Sequence, residues 1–172
     1  MNAPAPLPPQ KGVHLVSGAD DGVSYWQPLP STGYATVKLH PGNTPINYLS
    51  AGIQVLEPGT HVRNHAHQRN DEMLFVYEGT GHGVIDGKTY PLSPGSLIAV
   101  GRYVEHVVYN DGPGQMKMFW VFAPPGLEDW FAAIGKPREA GAPPPPPFNR
   151  PDDVAEVQKR VKFVAAEQLK QG

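Results

Sequence analysis

The amino-acid sequence predicts an all-β fold, an antiparallel sandwich or closed barrel, with α-helices only towards its C-terminal end. Three observations lead there. Between residues 34 and 122 the chain runs in short β-branched and aromatic segments. Glycine, proline, asparagine or aspartate punctuates these segments at close spacing. An apolar period of the helical kind first appears at residues 126–135. Many short strands with turn signals between them pack best as two antiparallel sheets.

The elements follow in order. Pro4, Pro6, Pro8 and Pro9 crowd the opening, so residues 1–32 read as a proline-rich arm of extended conformation. The strand candidates are "YATVKL", "INYLSAGIQVLE", "EMLFVYE", "GHGVI", "SLIAV", "EHVVY" and "MKMFWVF". Within "IDGKTY" the Asp86-Gly87 pair is a hairpin signal, because both residues tolerate the positive φ of a tight two-residue turn. These segments delimit a barrel over residues 33–125 in a single copy, with no internal repeat. In "GLEDWFAAIG", Leu127, Trp130, Phe131 and Ile134 fall at i, i+3, i+4 and i+7, with Gly135 as the C-cap. A second helix is expected from Pro151, carrying Val154, Val157, Val161 and Val164 on one stripe. Residues 126–172 thus form a helical extension interrupted by the tract "APPPPPF".

Composition excludes several function classes. The 172 residues carry a net charge of −2 with both signs interspersed, so no basic patch points to nucleic acid or an anionic membrane surface. There is no cysteine, which removes disulfides and thiolate ligands. No apolar run is long enough to span a bilayer, and the opening residues do not read as a signal peptide. A cytoplasmic location is the expectation.

The most informative stretch is "GTHVRNHAHQRNDEMLFVYEG", residues 59–79. On a strand, residues two apart share a face, so His65 and His67 point the same way, joined by Arg63 and His61 if the strand is regular that far back. "QRND" makes a polar turn, and Glu72 opens the returning strand, where its carboxylate can meet both imidazoles. A metal site of three nitrogens and one oxygen needs a further histidine, and "GSLIAVGRYVEHVVYN" offers His106.

At this point the sequence resembles the cupins. Their first motif is met in full by Gly59, His65, His67, Glu72 and Gly79. Their second is met by Gly95, His106 and Asn110, while Gly101 stands in place of a proline and Tyr103 in place of a glycine. The resemblance covers roughly residues 45–125, and more loosely extends to small quercetin-dioxygenase-like cupins with helices after the barrel. It implies a jelly-roll barrel holding one divalent metal per chain through His65, His67, Glu72 and His106. Imidazole and carboxylate suit iron, manganese, nickel, cobalt or zinc, and four protein ligands on an octahedral ion leave two positions open.

Alternation extends the reading to the pocket. Lys117 faces water, which turns Met116, Met118, Trp120 and Phe122 inward, and Glu72 brings Leu74 and Val76 in with it. With Arg63 at the mouth, these side chains form the expected pocket for a small apolar or aromatic organic substrate. The leading expectation is a metal-dependent dioxygenase acting on an enolic, phenolic or β-dicarbonyl compound and O₂, with Glu72 as ligand and proton acceptor. The same ligands would serve an O₂-independent isomerase, lyase or decarboxylase, or a binding and sensor barrel without turnover. Tyr103 and Glu105, flanking His106, are candidates for a supporting or acid–base part. His61 and His82 are weaker candidates. Met73, Phe75 and Tyr77 face outward and are apolar, which with the cupin resemblance leads to the expectation of a homodimer.

Overall fold

Strand alternation sorts the middle of the chain into two facing antiparallel sheets. The computed structural model describes residues 12–161 and 163–165. The strands are β1 (Val23–Trp26), β2 (Gly33–Leu39), β3 (Ser50–Leu56), β4 (His65–His67), β5 (Asp71–Glu78), β6 (Gly81–Ile85), β7 (Lys88–Leu92), β8 (Leu97–Val100), β9 (His106–Asn110), β10 (Met116–Ala123), β11 (Lys136–Arg138) and β12 (Phe163–Ala165). The helices are α1 (Leu127–Ile134) and α2 (Val154–Val161). One sheet runs β11-β1-β2-β3-β10-β5-β8 and the other β12-β4-β9-β6-β7. The non-sequential neighbours are those of a jelly roll, as the sequence leads one to expect.

The core follows from the period-two pattern. In β5 every second residue is buried from Glu72 to Val76, and in β10 Met116, Met118, Trp120 and Phe122 alternate inward. Trp120 has room because the strand beside it carries Gly52, where a Cβ would lie 2.6 Å from the indole ring. The apolar stripe of α1 (Leu127, Trp130, Phe131 and Ile134) closes on the same core, with the Phe131 ring 5.8 Å from that of Trp120. Asp86 and Gly87 both take positive φ, 49° and 73°, and join β6 to β7 as a two-residue turn. Gly135 caps α1 by donating its N–H to the Phe131 carbonyl, in an extended rather than a left-handed conformation.

Several boundaries differ from the sequence reading. The arm expected over residues 1–32 contributes β1, which pairs with β2 and so starts the sheet ahead of residue 33. Its prolines Pro4, Pro6, Pro8 and Pro9 lie outside the described residues. The second helix starts at Val154 and stops at Val161, so the expected stripe breaks before Val164. Residues 163–165 instead form β12, which pairs with β4 along its free edge. A three-residue strand with an open edge has unpaired backbone groups, and strand addition satisfies them. The proline tract has no regular structure but is tied at its end, where the Leu29 N–H donates to the Phe148 carbonyl at 2.8 Å. Met73, Phe75 and Tyr77 stay on the outer face, each about two-fifths exposed (44%, 41% and 39%). Phe75 stands between Phe119 and Leu97 in register on that face.

Candidate metal centre

Three strands carry the four residues of interest. His65 and His67 are the ends of β4, Glu72 is the first inward residue of β5 after the turn, and His106 starts β9 directly opposite His65. The turn is pinned by Asn70, whose side-chain amide donates to the Pro124 carbonyl at 2.6 Å. One ligand atom from each of His65, His67, Glu72 and His106 lies within 4.8 Å of all the others. His67, Glu72 and His106 are buried, and His65 is half-buried on the side that opens outward. Phe122 stands edge-on to the His67 ring, 4.7 Å away, and limits its tilt.

Hydrogen bonds to carbonyls settle which nitrogens point inward. His65 Nδ1–H donates to the Arg63 carbonyl at 2.7 Å, and His106 Nδ1–H to the Val104 carbonyl at 2.9 Å. A carbonyl can only accept, so both rings keep the hydrogen on Nδ1 and turn Nε2 towards the centre. Glu72 Oε2 then meets His106 Nε2 at 3.0 Å and His67 Nε2 at 3.1 Å. In the neutral Nδ1–H ring of His106 the inward nitrogen is itself an acceptor, so its contact with a carboxylate requires a cation between them, a proton or a metal ion. Two donors bonded to one ion at about 2.1 Å and at right angles stand about 3.0 Å apart, so the observed spacing fits a coordinating set.

The electrostatics are consistent with this. Burial alone would raise the Glu72 carboxyl, but hydrogen bonds from His106 and His67 outweigh it and hold the group far below the usual carboxylate range. Burial would lower His106, yet its hydrogen bond to Glu72 raises it above an ordinary histidine. Burial, reinforced by the neighbouring His106 and His67, pushes His65 well below its ordinary value, so its imidazole stays neutral. The three nitrogens and one carboxylate oxygen suit a first-row divalent ion, and the geometry does not choose among iron, manganese, nickel, cobalt and zinc.

Beside the four residues lies a cavity of about 30 Å³ lined by His65, Glu72, His106, Gln54, Val62, Leu74, Val108, Leu127, Trp130 and Phe131. It shares the lining residues Val62, His65 and Trp130 with a groove of about 400 Å³. Of the expected pocket, Leu74 lines the cavity and Arg63 the groove. Val76, Met116, Met118, Trp120 and Phe122 do neither. All five are essentially inaccessible and fill the barrel, where strand alternation alone cannot separate pocket lining from core packing.

The regular strand begins only at His65, so His61 and Arg63 do not join the ligand face. His61 bridges to Tyr109 and stacks on its ring, with His82 stacked on the same tyrosine. Tyr103 and Glu105 line a separate surface cleft with Asp86 and Gly87, which removes them from the metal's cavity. Tyr103 still takes the left-handed conformation expected of a glycine there (φ 62°), and its N–H donates to the His67 carbonyl at 2.8 Å. At Tyr103 the backbone therefore takes a conformation that a glycine would adopt, despite the departure from the cupin pattern. Among the residues lining the cavity and the groove, the latter including Arg150, several were not expected there from the sequence. Trp130 and Phe131 read as helix core, Gln54 as a mid-strand polar residue, and Arg150 carried no pattern at all.

Comparison with known proteins agrees with the fold. Residues 52–122 match the family model described as a cupin domain. A 74-residue stretch is 34% identical to L-ectoine synthase of Vibrio parahaemolyticus, covering 42% of this chain and 57% of that protein. A 73-residue stretch is 26% identical to polyketide synthase CurC of Streptomyces cyaneus, covering 42% of this chain and 47% of that protein. The chain thus spans about half the length of the curated relatives it matches. Among solved structures, that of a predicted oxalate decarboxylase from Thermotoga maritima superposes with a TM-score of 0.54 at 18% identity, over 64% of this chain and 98% of that one. With the two-sheet barrel and the residues of both motifs in place, residues 52–122 of this chain match a cupin domain.

Proposed function

We propose that this chain is a metal-dependent enzyme, a dioxygenase acting on a small enolic, phenolic or β-dicarbonyl compound. The observation that carries the reading is the cavity at His65 and His106, walled by Leu74, Leu127, Trp130 and Phe131, with His65 and Trp130 also lining a groove beside it. A divalent ion held by His65, His67, Glu72 and His106 would supply Lewis acidity towards a substrate enolate and, if redox-active, electron transfer to O₂. The chain's own residues do the rest. The aromatic and aliphatic walls keep the cavity to about 30 Å³, so the body of a substrate would lie in the adjoining groove of about 400 Å³. Gln54, fixed by donating to the Gln27 side-chain oxygen at 2.6 Å, offers its polar group at the cavity wall. Glu72 is held ionised by its two histidine neighbours, which suits it to metal ligation and makes it a poor proton acceptor at neutral pH.

A second reading is supported by the names of the relatives. The similarity to an L-ectoine synthase and a polyketide synthase, neither named as an oxygenase, leaves room for an O₂-independent isomerisation, elimination or decarboxylation at His65, His67, Glu72 and His106. Oxygen-electrode measurements on the iron- and nickel-loaded chain with a panel of enols, phenols and β-diketones separate the two. Substrate-dependent O₂ uptake is expected. Substrate loss under nitrogen at an undiminished rate would reject the dioxygenase and leave the second reading, and binding without turnover would reject both.

The outer apolar row Met73, Phe75 and Tyr77 further supports a homodimer, because two-fold pairing covers an identical patch on each chain. Light scattering at micromolar concentration is expected to give twice the chain mass, and a species of 18.6 kDa would contradict it.

A further inference from the structure

We propose that Arg63 and Arg150 form an anion-recognition subsite in the groove beside the metal centre, selecting substrates that carry a carboxylate or phosphate group. This rests on the reading that a small organic compound occupies the adjoining cavity.

The groove brings together two parts of the chain that are distant in sequence. Arg63 and Asn64 precede β4, while Asn149 and Arg150 end the proline-rich tract and lead into α2, which adds Val154 and Gln158. The backbone of Leu29 lies between the two parts. Its N–H donates to the Phe148 carbonyl at 2.8 Å, and its carbonyl accepts a weak bond from Arg63 Nη2 at 3.5 Å. Two like charges are thereby gathered on one surface.

Neither arginine forms an ion pair among the described residues. Among the described residues Arg150 Nε is buried without a hydrogen-bond partner, and the guanidinium stands 5.1 Å from the Trp130 ring. Burial, and then the nearby Arg63, lower the Arg150 guanidinium to about 10. A buried donor left unsatisfied beside a like charge is costly for folding alone. A bound anion removes both costs, since the guanidinium fork matches the paired oxygens of a carboxylate or phosphate. Position adds to this. Trp130 and His65 line both spaces, so a molecule anchored at the arginines lies beside His65. The proline-rich tract then acts as a strap that delivers Arg150 to the site.

The test uses the full-length chain loaded with zinc, in which no redox turnover interferes. Binding of malonate, inorganic phosphate and uncharged acetylacetone is followed by calorimetry and by tryptophan fluorescence. The expected result is saturable binding of malonate or phosphate that Arg150→Gln weakens roughly tenfold or more. Arg150→Lys should recover part of the loss, acetylacetone binding should not change, and zinc content should equal that of the wild type. Tighter binding of phosphate than of malonate would assign phosphate-bearing substrates, and the reverse would assign carboxylates. Failure of both anions to bind the wild type, wild-type anion affinity in Arg150→Gln, or loss of zinc in that variant would each overturn the subsite. Equilibrium binding needs no catalysis, so intact anion binding without turnover would reject the proposed activity alone.

Discussion

Replacing His106 with alanine is expected to lower the affinity for a divalent metal on the order of a hundredfold or more, with the barrel still folded. His106 is fixed more firmly than an ordinary surface ligand. It faces His65 in register, its Nδ1 is committed to the Val104 carbonyl, and its Nε2 lies 3.0 Å from Glu72. Removing it takes one nitrogen from the set and leaves Glu72 with His67 as its remaining short contact among those described. The change also carries a proton signature. Because Glu72 raises His106 above the ordinary histidine value of 6.5, the metal-free imidazole keeps its proton into the range where a free histidine has lost it. A metal must displace that proton, so wild-type affinity falls as pH drops through the raised value, and proton release accompanies binding there. Chelator competition with calorimetry in buffers of different ionisation enthalpy reads both effects. The variant is expected to lose this share of proton release, and unchanged affinity would remove His106 from the ligand set.

Trp120→Ala is expected to cost about 3–5 kcal/mol of stability, equivalent to a fall of roughly 10 °C in thermal midpoint. Trp120 is fully buried, lies against Gly52 on the neighbouring strand and packs near Phe131 of α1. It joins the large sheet to the helix that walls the metal's cavity. Its loss should leave a cavity that the strands cannot collapse to fill, since backbone pairing on both sides of β10 fixes their spacing. Thermal denaturation of the metal-free chain followed by circular dichroism measures this directly. A shift of only one or two degrees would mean that the core relaxes around the gap.

These two residues also mark what the sequence made legible and what it did not. The candidate ligands were readable because their spacing is mostly local. His65 and His67 share a strand face, Glu72 follows one turn later, and only His106 had to come from a distant strand. The inward direction of Trp120 was readable from alternation, but its neighbours were not. Whether an inward side chain meets the cavity or the opposite sheet depends on where α1 docks, and a helical stripe records only that some face is buried. Arg150 lay deeper still. It follows a proline tract, and its place in the groove comes from a backbone contact between Leu29 and Phe148, more than a hundred residues apart in sequence. The pairing of β12 with β4 was likewise hidden, because the valine stripe of α2 runs on past Val161 into residues that form a strand.

The most direct test is the metal content of the full-length chain, purified and reconstituted with first-row divalent ions, beside the double variant His65→Ala/His67→Ala. Elemental analysis after gel filtration should find about one ion per wild-type chain, as expected for a single three-nitrogen, one-carboxylate site, and close to none in a variant with wild-type circular dichroism. Stoichiometric metal retained by the folded double variant would contradict the assignment of His65, His67, Glu72 and His106 as the metal site.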